Sequence, residues 1–391
     1  MSDALMNTYA RQNIAFERGE GVWLWDSQGK KYLDAVSGVA VCGLGHAHPA
    51  VAEAICAQAR TLVHTSNLYQ IPKQQALGLA LTRLSGMDKV FFGNSGAEAN
   101  EAAIKLARMF GHKKNIDNPA IIVAENSFHG RTLATLSATG NKKIQAGFEP
   151  LVSGFVRVPY DDLEAVAKIA EQNKDVVAIL VEPVQGEGGV RIPNTDYLAG
   201  LRKICDANGW LLMLDEIQTG MCRTGKWFAF QHTNIQPDVI TLAKGLGNGV
   251  PIGCCLARGE AAQLFAPGNH GSTFGGNPLA TAAALAVVST LEDNKLADRA
   301  SQLGLRIKQN LSHALEGVQG VVNVRGLGLM IGIELERPCA ALVSAALEKG
   351  LLINVTADRV VRLLPPLIMT DTEADLLTEQ LAQLIKSFAQ A

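Results

Sequence analysis

Thr241-Leu-Ala-Lys244-Gly-Leu-Gly247-Asn-Gly249-Val-Pro251-Ile-Gly253 is the stretch on which the reading of this chain turns. The residues leading into it, Asp238-Val-Ile-Thr-Leu242, form an apolar, β-branched run that reads as a buried strand. The run stops at one lysine, and glycines follow at 245, 247, 249 and 253. An ammonium at the end of a buried strand is costly unless it is paired or neutralised. A desolvated lysine amine is a nucleophile for carbonyl carbons, and forming a Schiff base removes that cost. The glycines then let backbone approach a bulky group closely. A surface lysine opening a flexible loop is the plainer reading of the same residues, and the rest of the chain weighs between the two.

Outward from this stretch, apolar runs alternate with helical patterns. Runs at 89–92, 120–124, 154–158, 176–181, 210–214 and 238–242 suit buried strands, and helical patterns occupy 97–110, 162–172 and 195–208. Short strands interleaved with helices predict an α/β fold with a parallel sheet covered on both faces. In such sheets the chemistry sits beyond the carboxyl ends of the strands. Those ends read Gly93-Asn-Ser-Gly96, Glu125-Asn-Ser-Phe128-His-Gly-Arg131, Glu182-Pro-Val-Gln-Gly-Glu187, Asp215-Glu-Ile-Gln218 and Lys244, so the polar residues fall where that rule wants them.

Before the alternating region, Gly21–Asp26 and Lys31–Asp34 flank turn residues and predict a small hairpin. A Gly/His-rich loop over 37–49 follows, and Pro49 opens a helix over 50–59. From Pro278 onward, helices (278–291, 295–316, 340–349) mix with strand-like runs (321–324, 329–335, 351–355, 360–364), and Thr370-x-x-Glu373 is a capping box for a last helix. This mixture predicts a second, smaller α+β domain.

A chain of 391 residues is long for one core, and 48% hydrophobic with 18% charged residues provides for a large buried interior. The net charge is −2 and no basic run occurs, so nothing points to nucleic acid. No apolar run reaches membrane-spanning length, and the first residues carry no basic-then-apolar signal pattern. The seven cysteines are scattered without a Cys-x-x-Cys pair, which suits free thiols in a reducing cytoplasm rather than a disulfide framework or a metal centre. A cytoplasmic location is therefore expected, with no metal and no membrane partner.

Several stretches carry chemistry. Ser95-Gly96-Ala97 joins a strand to a helix, where free N–H groups and the helix dipole suit an anion; an ordinary strand–helix turn is the competing reading. Asp215 ends a strongly apolar strand 29 residues before Lys244, and a carboxylate there suits a protonated pyridine nitrogen. A strand-end aspartate that caps a turn or holds Mg²⁺ is the alternative. Gly220-Met-Cys-Arg-Thr-Gly225-Lys226 matches most of a phosphate loop, but Trp227 stands where that loop needs Ser or Thr. Gly326-Leu-Gly328-Leu-Met-Ile-Gly332 misses the dinucleotide fingerprint by one position. His46-Ala-His48 lacks further ligands at metal-binding spacing.

Taken together, Gly45-His-Ala-His-Pro49, Asn94–Asn100, Phe128-His-Gly-Arg131, Glu182–Gly188, Asp215–Gly220, the Lys244 stretch and Ser272-Thr-Phe-Gly-Gly-Asn-Pro278 resemble the class III aminotransferases in order and spacing. These are the ω-amino subgroup of pyridoxal-phosphate fold type I. The resemblance implies a large domain with a mostly parallel seven-stranded sheet plus a smaller α+β domain. The expected division is 1–50 as an N-terminal segment packing with the small domain, 51–277 as the cofactor-binding domain and 278–391 as the small domain. Val39-Ala-Val41, Leu44-Gly-His46 and His64–Tyr69 resemble best the members acting on N2-acetyl-L-ornithine with 2-oxoglutarate as acceptor. N-succinylornithine or N-succinyldiaminopimelate is the neighbouring substrate choice, and a pyridoxal-dependent aminomutase a related activity. A nucleotide-binding ATPase, resting on Gly220–Lys226, is the reading from another class.

The resemblance also implies roles. Lys244 carries pyridoxal 5'-phosphate and later moves the proton. Asp215 binds the pyridine nitrogen, Gln218 the ring hydroxyl, and Phe128 stacks on the ring. Ser95, Gly96 and Ala97 hold the phosphate; many relatives have Thr where this chain has Ala97, so that contact falls to backbone N–H groups. Thr273, with Ser272, reaches the phosphate of the neighbouring subunit, which implies a homodimer with shared sites. Arg131 binds a substrate carboxylate. Arg362 binds the α-carboxylate of glutamate or 2-oxoglutarate, and Glu187 covers Arg362 while the ω-amino substrate is present.

Overall fold

The computed structural model describes residues 4–390 and contains three sheets. The first begins with β1 (Phe16–Glu20), β2 (Trp23–Asp26) and β3 (Lys31–Asp34), all antiparallel. The central sheet comprises β4 (Lys89–Gly93), β5 (Ala120–Ala124), β6 (Phe155–Val158), β7 (Val176–Val181), β8 (Leu211–Asp215), β9 (Val239–Leu242) and β10 (Gly253–Ala257). Its order is β4-β10-β9-β8-β7-β5-β6, and β10 alone runs against its neighbours. Near the C-terminus come β11 (Val321–Leu327), β12 (Met330–Leu335), the short β13 (Leu351–Leu352), β14 (Asn354–Thr356) and β15 (Val360–Leu363). β11, β12, β15 and β14 form the third sheet, while β13 crosses to pair in parallel with β3.

The near-continuous apolar runs exist because both faces of the central sheet are covered. Successive side chains point to opposite faces. Leu212 and Leu214 accordingly join the core shared with the C-terminal helices, while Leu211 and Met213 join the one under the helix Gly96–Lys113. Burying each such side chain contributes roughly 1.5–3 kcal/mol. Parallel strands place Glu182, Asp215 and Lys244 at or just past one edge of this sheet. The sequence reading lacked β1, β10 and a helix over Pro72–Ser85. Gly-Cys-Cys-Leu-Ala carries little β signal, and Gly78 weakens the helical one; a Cβ at Gly78 would stand 3.1 Å from Val90, so close packing on β4 explains the glycine.

The loop expected at 37–49 holds an unusual feature. Ser37, Gly38, Val39 and Ala40 have φ of 46°, 64°, 65° and 64°, a full left-handed turn. Left-handed backbone costs roughly 1–2 kcal/mol per non-glycine residue, so this turn must be held. Asp34 holds it: its Oδ1 accepts the N–H groups of Val36 and Ser37 at 2.8 Å each, and its Oδ2 meets His46 Nε2 at 2.8 Å. Ser37 Oγ adds a bond to the Leu364 carbonyl at 2.6 Å. Asp34, then Cys42, raises the His46 imidazole from 6.5 to about 9 against the opposing effect of burial. A raised folded-state value means that the pair stabilises fully below the ordinary histidine range and loses its contribution as pH climbs through about 9. The gap in Tm between the parent chain and His46→Gln should therefore narrow between about pH 6 and about pH 10. A gap independent of pH would show that His46 acts only by packing.

Candidate active site

The carboxyl edge of the central sheet opens into a cavity of about 370 Å³, lined by Ser95, Gly96, Ala97, Phe128, Arg131, Glu182, Glu187, Asp215, Gln218 and Lys244 among others. Lys244 starts a short 3-10 turn directly after Ala243 and is itself left-handed, at φ 46°. Such strain in a non-glycine residue gathers at functional sites. Its amine makes no hydrogen bond among the described residues. Burial, then the nearby Arg362, pushes that amine down to about 8, against the pull of Glu187, Asp215 and Glu182.

Asp215 is 4% exposed and held from three sides. Its Oδ2 accepts from Asn100 Nδ2 and faces His129 Nδ1, both at 2.8 Å, while its Oδ1 accepts the Ile217 N–H at 3.1 Å. Asn100 also donates to the His129 carbonyl and accepts from the Thr241 hydroxyl, each at 2.8 Å. Asn100 and His129 were not among the site residues read from the sequence, although both lie inside the quoted motifs. A buried amide or imidazole carries no periodic signal that marks it as a partner.

The eighteen-residue helix Gly96–Lys113 points its N-terminus at the cavity. The Ser95 hydroxyl is engaged as its cap, accepting the Glu98 N–H at 3.2 Å and donating to Glu98 Oε2 at 3.3 Å. The N–H groups of Gly96 and Ala97 make no hydrogen bond among the described residues. The helix start is tightly packed: a Cβ at Gly253 would stand 2.2 Å from the Ser95 carbonyl oxygen, and one at Gly96 would stand 2.8 Å from the Ile217 side chain. The glycine after Ile252 is thus needed for packing of β10 on the helix start. A free amine, a braced carboxylate and two unpaired N–H groups at a helix start together fit pyridoxal phosphate.

Arg362 lies on β15 and is 1% exposed. It does not itself line the cavity, but its Nη1 donates to Glu187 Oε1 at 2.6 Å and to Gln218 Oε1 at 3.3 Å, and its Nε to Asn354 Oδ1 at 3.2 Å. Burial pushes the Glu187 carboxyl up, and Arg362, assisted by Lys244 and Arg131, outweighs it, leaving the group below its ordinary value. Arg131 is exposed, with its guanidinium 5.8 Å from the centre of the Phe128 ring. Ser272 and Thr273 lie outside this cavity; Ser272 Oγ accepts from Asn94 at 3.2 Å, and Thr273 is exposed.

Gly220–Gly225 turns out to be interior packing, with Lys226 exposed at its end. Arg223 is 3% exposed and donates to the Leu329 carbonyl at 3.1 Å and to that of Pro365, and burial pushes it down to about 10. The N–H groups of Gly220, Cys222, Arg223 and Gly225 are spent on backbone carbonyls, and the buried stretch forms no open anion cradle.

Residues 6–385 match the family model described as aminotransferase class-III. The chain is 59% identical over 387 residues to an acetylornithine aminotransferase of Nitrosomonas europaea, covering 99% of this chain and 98% of that one. It is 50% identical to the acetylornithine aminotransferase of Aquifex aeolicus, covering 95% and 96%. Among solved structures, the ornithine aminotransferase of Toxoplasma gondii superposes with a TM-score of 0.95 at 36% identity, covering 99% of this chain and 93% of that one. The acetylornithine aminotransferase of Elizabethkingia anophelis does so with 0.88 at 36%, covering 98% and 96%. This chain therefore belongs to the class III aminotransferases and is a pyridoxal-phosphate-dependent transaminase.

Proposed function

We propose that the chain moves the δ-amino group of N2-acetyl-L-ornithine to 2-oxoglutarate, giving N-acetyl-L-glutamate 5-semialdehyde and L-glutamate in arginine biosynthesis. The observation that carries this reading is the Glu187–Arg362 pair at 2.6 Å beside the Lys244 amine. One site must accept two substrates whose reacting ends differ. While Glu187 neutralises Arg362, an α-carboxylate is not attracted and an ω-amine is presented. When Glu187 swings away, the guanidinium binds the carboxylate of 2-oxoglutarate in bidentate fashion.

Bound pyridoxal phosphate supplies an electron sink for the carbanion that forms at the substrate carbon. The N–H groups of Gly96 and Ala97 hold its phosphate, with Ser95 fixing the helix start. Asp215, braced by His129 and Asn100, would keep the ring nitrogen protonated. Phe128 and Gln218, which line the cavity, would flank the ring and take its hydroxyl. With the cofactor bound, the Nζ of Lys244 would be the group that takes up and gives back the proton at the carbon bearing the δ-amine. A free lysine at roughly 10.4 is too basic to be neutral in this role; the buried amine at about 8 has the right direction of shift. Arg131, exposed at the rim, binds the α-carboxylate of N2-acetyl-L-ornithine.

The working unit in this reading is a homodimer in the cytoplasm, with Thr273 and Ser272 completing the partner's phosphate site. Leu68, Tyr69 and Phe274 are 86%, 71% and 59% exposed around Thr273. Asn67 ties their two loops together through the carbonyls of Ser272 at 3.1 Å and Gly275 at 3.0 Å. An apolar surface of this kind favours a covering partner. Within each chain we take 51–277 as the cofactor-binding domain and 278–391 as the small domain. The parallel pairing of β13 with β3 supports grouping 1–50 with the latter.

Glutamate release measured with N2-acetyl-L-ornithine, N-succinylornithine and N-succinyldiaminopimelate tests the substrate. The acetyl compound should give the highest kcat/KM, and a succinyl compound exceeding it tenfold would overturn the choice. Light scattering should give twice 41.6 kDa or a multiple of that; a monomer with full activity would remove the shared site.

A further inference from the structure

Glu182 follows β7 directly, is 6% exposed and lines the cavity, yet none of the roles above uses it. Its two carboxylate oxygens accept from two different loops. Oε2 takes the N–H of Phe128, the ring-stacking residue, at 3.1 Å, and Oε1 takes the N–H of Gly186 at 3.2 Å. Gly186 immediately precedes Glu187, and a Cβ there would stand 2.2 Å from Gln218 Oε1. That same Gln218 oxygen accepts from Arg362. One buried carboxylate thus bridges the loop that stacks on the ring and the loop that covers the arginine.

We propose that Glu182 is a positioning residue that anchors the hinge of Glu187 at Gly186 and ties it to the seat of Phe128, so that the gate over Arg362 swings about a fixed point without disturbing the ring. The physical case is acceptor count. A carboxylate accepts on both oxygens, whereas a carboxamide accepts on one and presents an N–H₂ group on the other. Glu182→Gln keeps shape and burial but leaves either Phe128 or Gly186 with an unmatched N–H, and an unmatched buried donor is expensive. Burial pushes the Glu182 carboxyl up to about 7, and the nearby His129, then the Gly186 and Phe128 donors, pull against that push.

The proposal rests on reading Arg362 and Glu187 as the alternating site for 2-oxoglutarate. Its test is the ratio of kcat/KM for the two half-reactions, amine donor against oxo acid, measured separately in single turnovers. A second readout is the visible circular dichroism of the bound cofactor, which follows the ring's seating. Glu182→Gln should lower the donor half-reaction relative to the oxo-acid half by about tenfold, the equivalent of one lost buried hydrogen bond, and should weaken the dichroic band. Tyr160→Phe is the structural control, because the Tyr160 hydroxyl donates only to the carbonyls of Glu182 and Pro183, at 3.1 and 3.0 Å. It should leave the ratio unchanged even if Tm falls. If Glu182→Gln fails to fold, Gly186→Ala, which crowds the same hinge, should shift the ratio and the band. An unchanged ratio and band in Glu182→Gln overturns the proposal, provided Arg362→Met still shifts the ratio. If Arg362→Met shifts nothing either, the reading of the gate falls with it.

Discussion

Lys244→Ala should lower kcat by about 10³-fold or more, because in the proposed reading one side chain supplies both the attachment of the cofactor and the proton transfer, and positioned acid–base groups alone contribute roughly 10²–10⁴-fold. The fold should survive, and the stability of cofactor-free protein gives an independent check. Burial lowers the folded-state value of Lys244 from 10.5 to about 8, so its charged form is disfavoured in the native state. A depressed lysine value costs stability fully below about 8 and ceases to cost it above the unfolded value near 10.5. Cofactor-free Lys244→Met should therefore melt higher than the parent chain at neutral pH, with the difference shrinking as pH rises toward 10.5. Full turnover in Lys244→Ala would end the assignment. A neutral-pH Tm below that of the parent would mean that the amine is paired rather than held at a cost.

Arg362→Met should separate the two halves of the reaction. Methionine fills much of the volume without the charge, so β15 keeps its place between β12 and β14. Losing a buried, hydrogen-bonded guanidinium costs about 2–5 kcal/mol where an anion must bind it, which is 30-fold or more in affinity. The kcat/KM for 2-oxoglutarate should fall by about 100-fold. The donor half-reaction should change by less than about tenfold, since N2-acetyl-L-ornithine is read with Arg362 already neutralised. Equal losses in both halves would contradict the alternating gate. The variant also leaves Glu187, 39% exposed, without its partner at 2.6 Å, so its carboxyl should rise toward its ordinary value.

The fold was legible where the sequence carries uninterrupted burial. Val176–Val181 and Leu211–Asp215 could be placed within a residue or two because both faces of their strands are buried. β10 was not, since its own composition carries little strand signal and its place beside β4 is decided by a neighbour far away in the chain. The left-handed turn at 37–40 was equally invisible. Ser37, Val39 and Ala40 do not announce positive φ, and the turn exists because Asp34 and Leu364 hold it from outside. For the site, strand-end position singled out Asp215 and Lys244, and motif resemblance added Glu187 and Arg362. The bracing groups Asn100, His129 and Glu182 escaped because they act through geometry: a hydrogen bond across 115 positions, Asn100 to Asp215, has no local sequence signal.

The most direct test of the central claim is the visible absorption spectrum of the cofactor-loaded protein, followed as N2-acetyl-L-ornithine is added without 2-oxoglutarate. The long-wavelength band of the lysine-bound cofactor should give way to the shorter-wavelength pyridoxamine form in one turnover and return when 2-oxoglutarate is supplied. A band that ignores N2-acetyl-L-ornithine would contradict the proposed donor, and protein that never gains the band on incubation with pyridoxal phosphate would contradict the assignment of Lys244 itself.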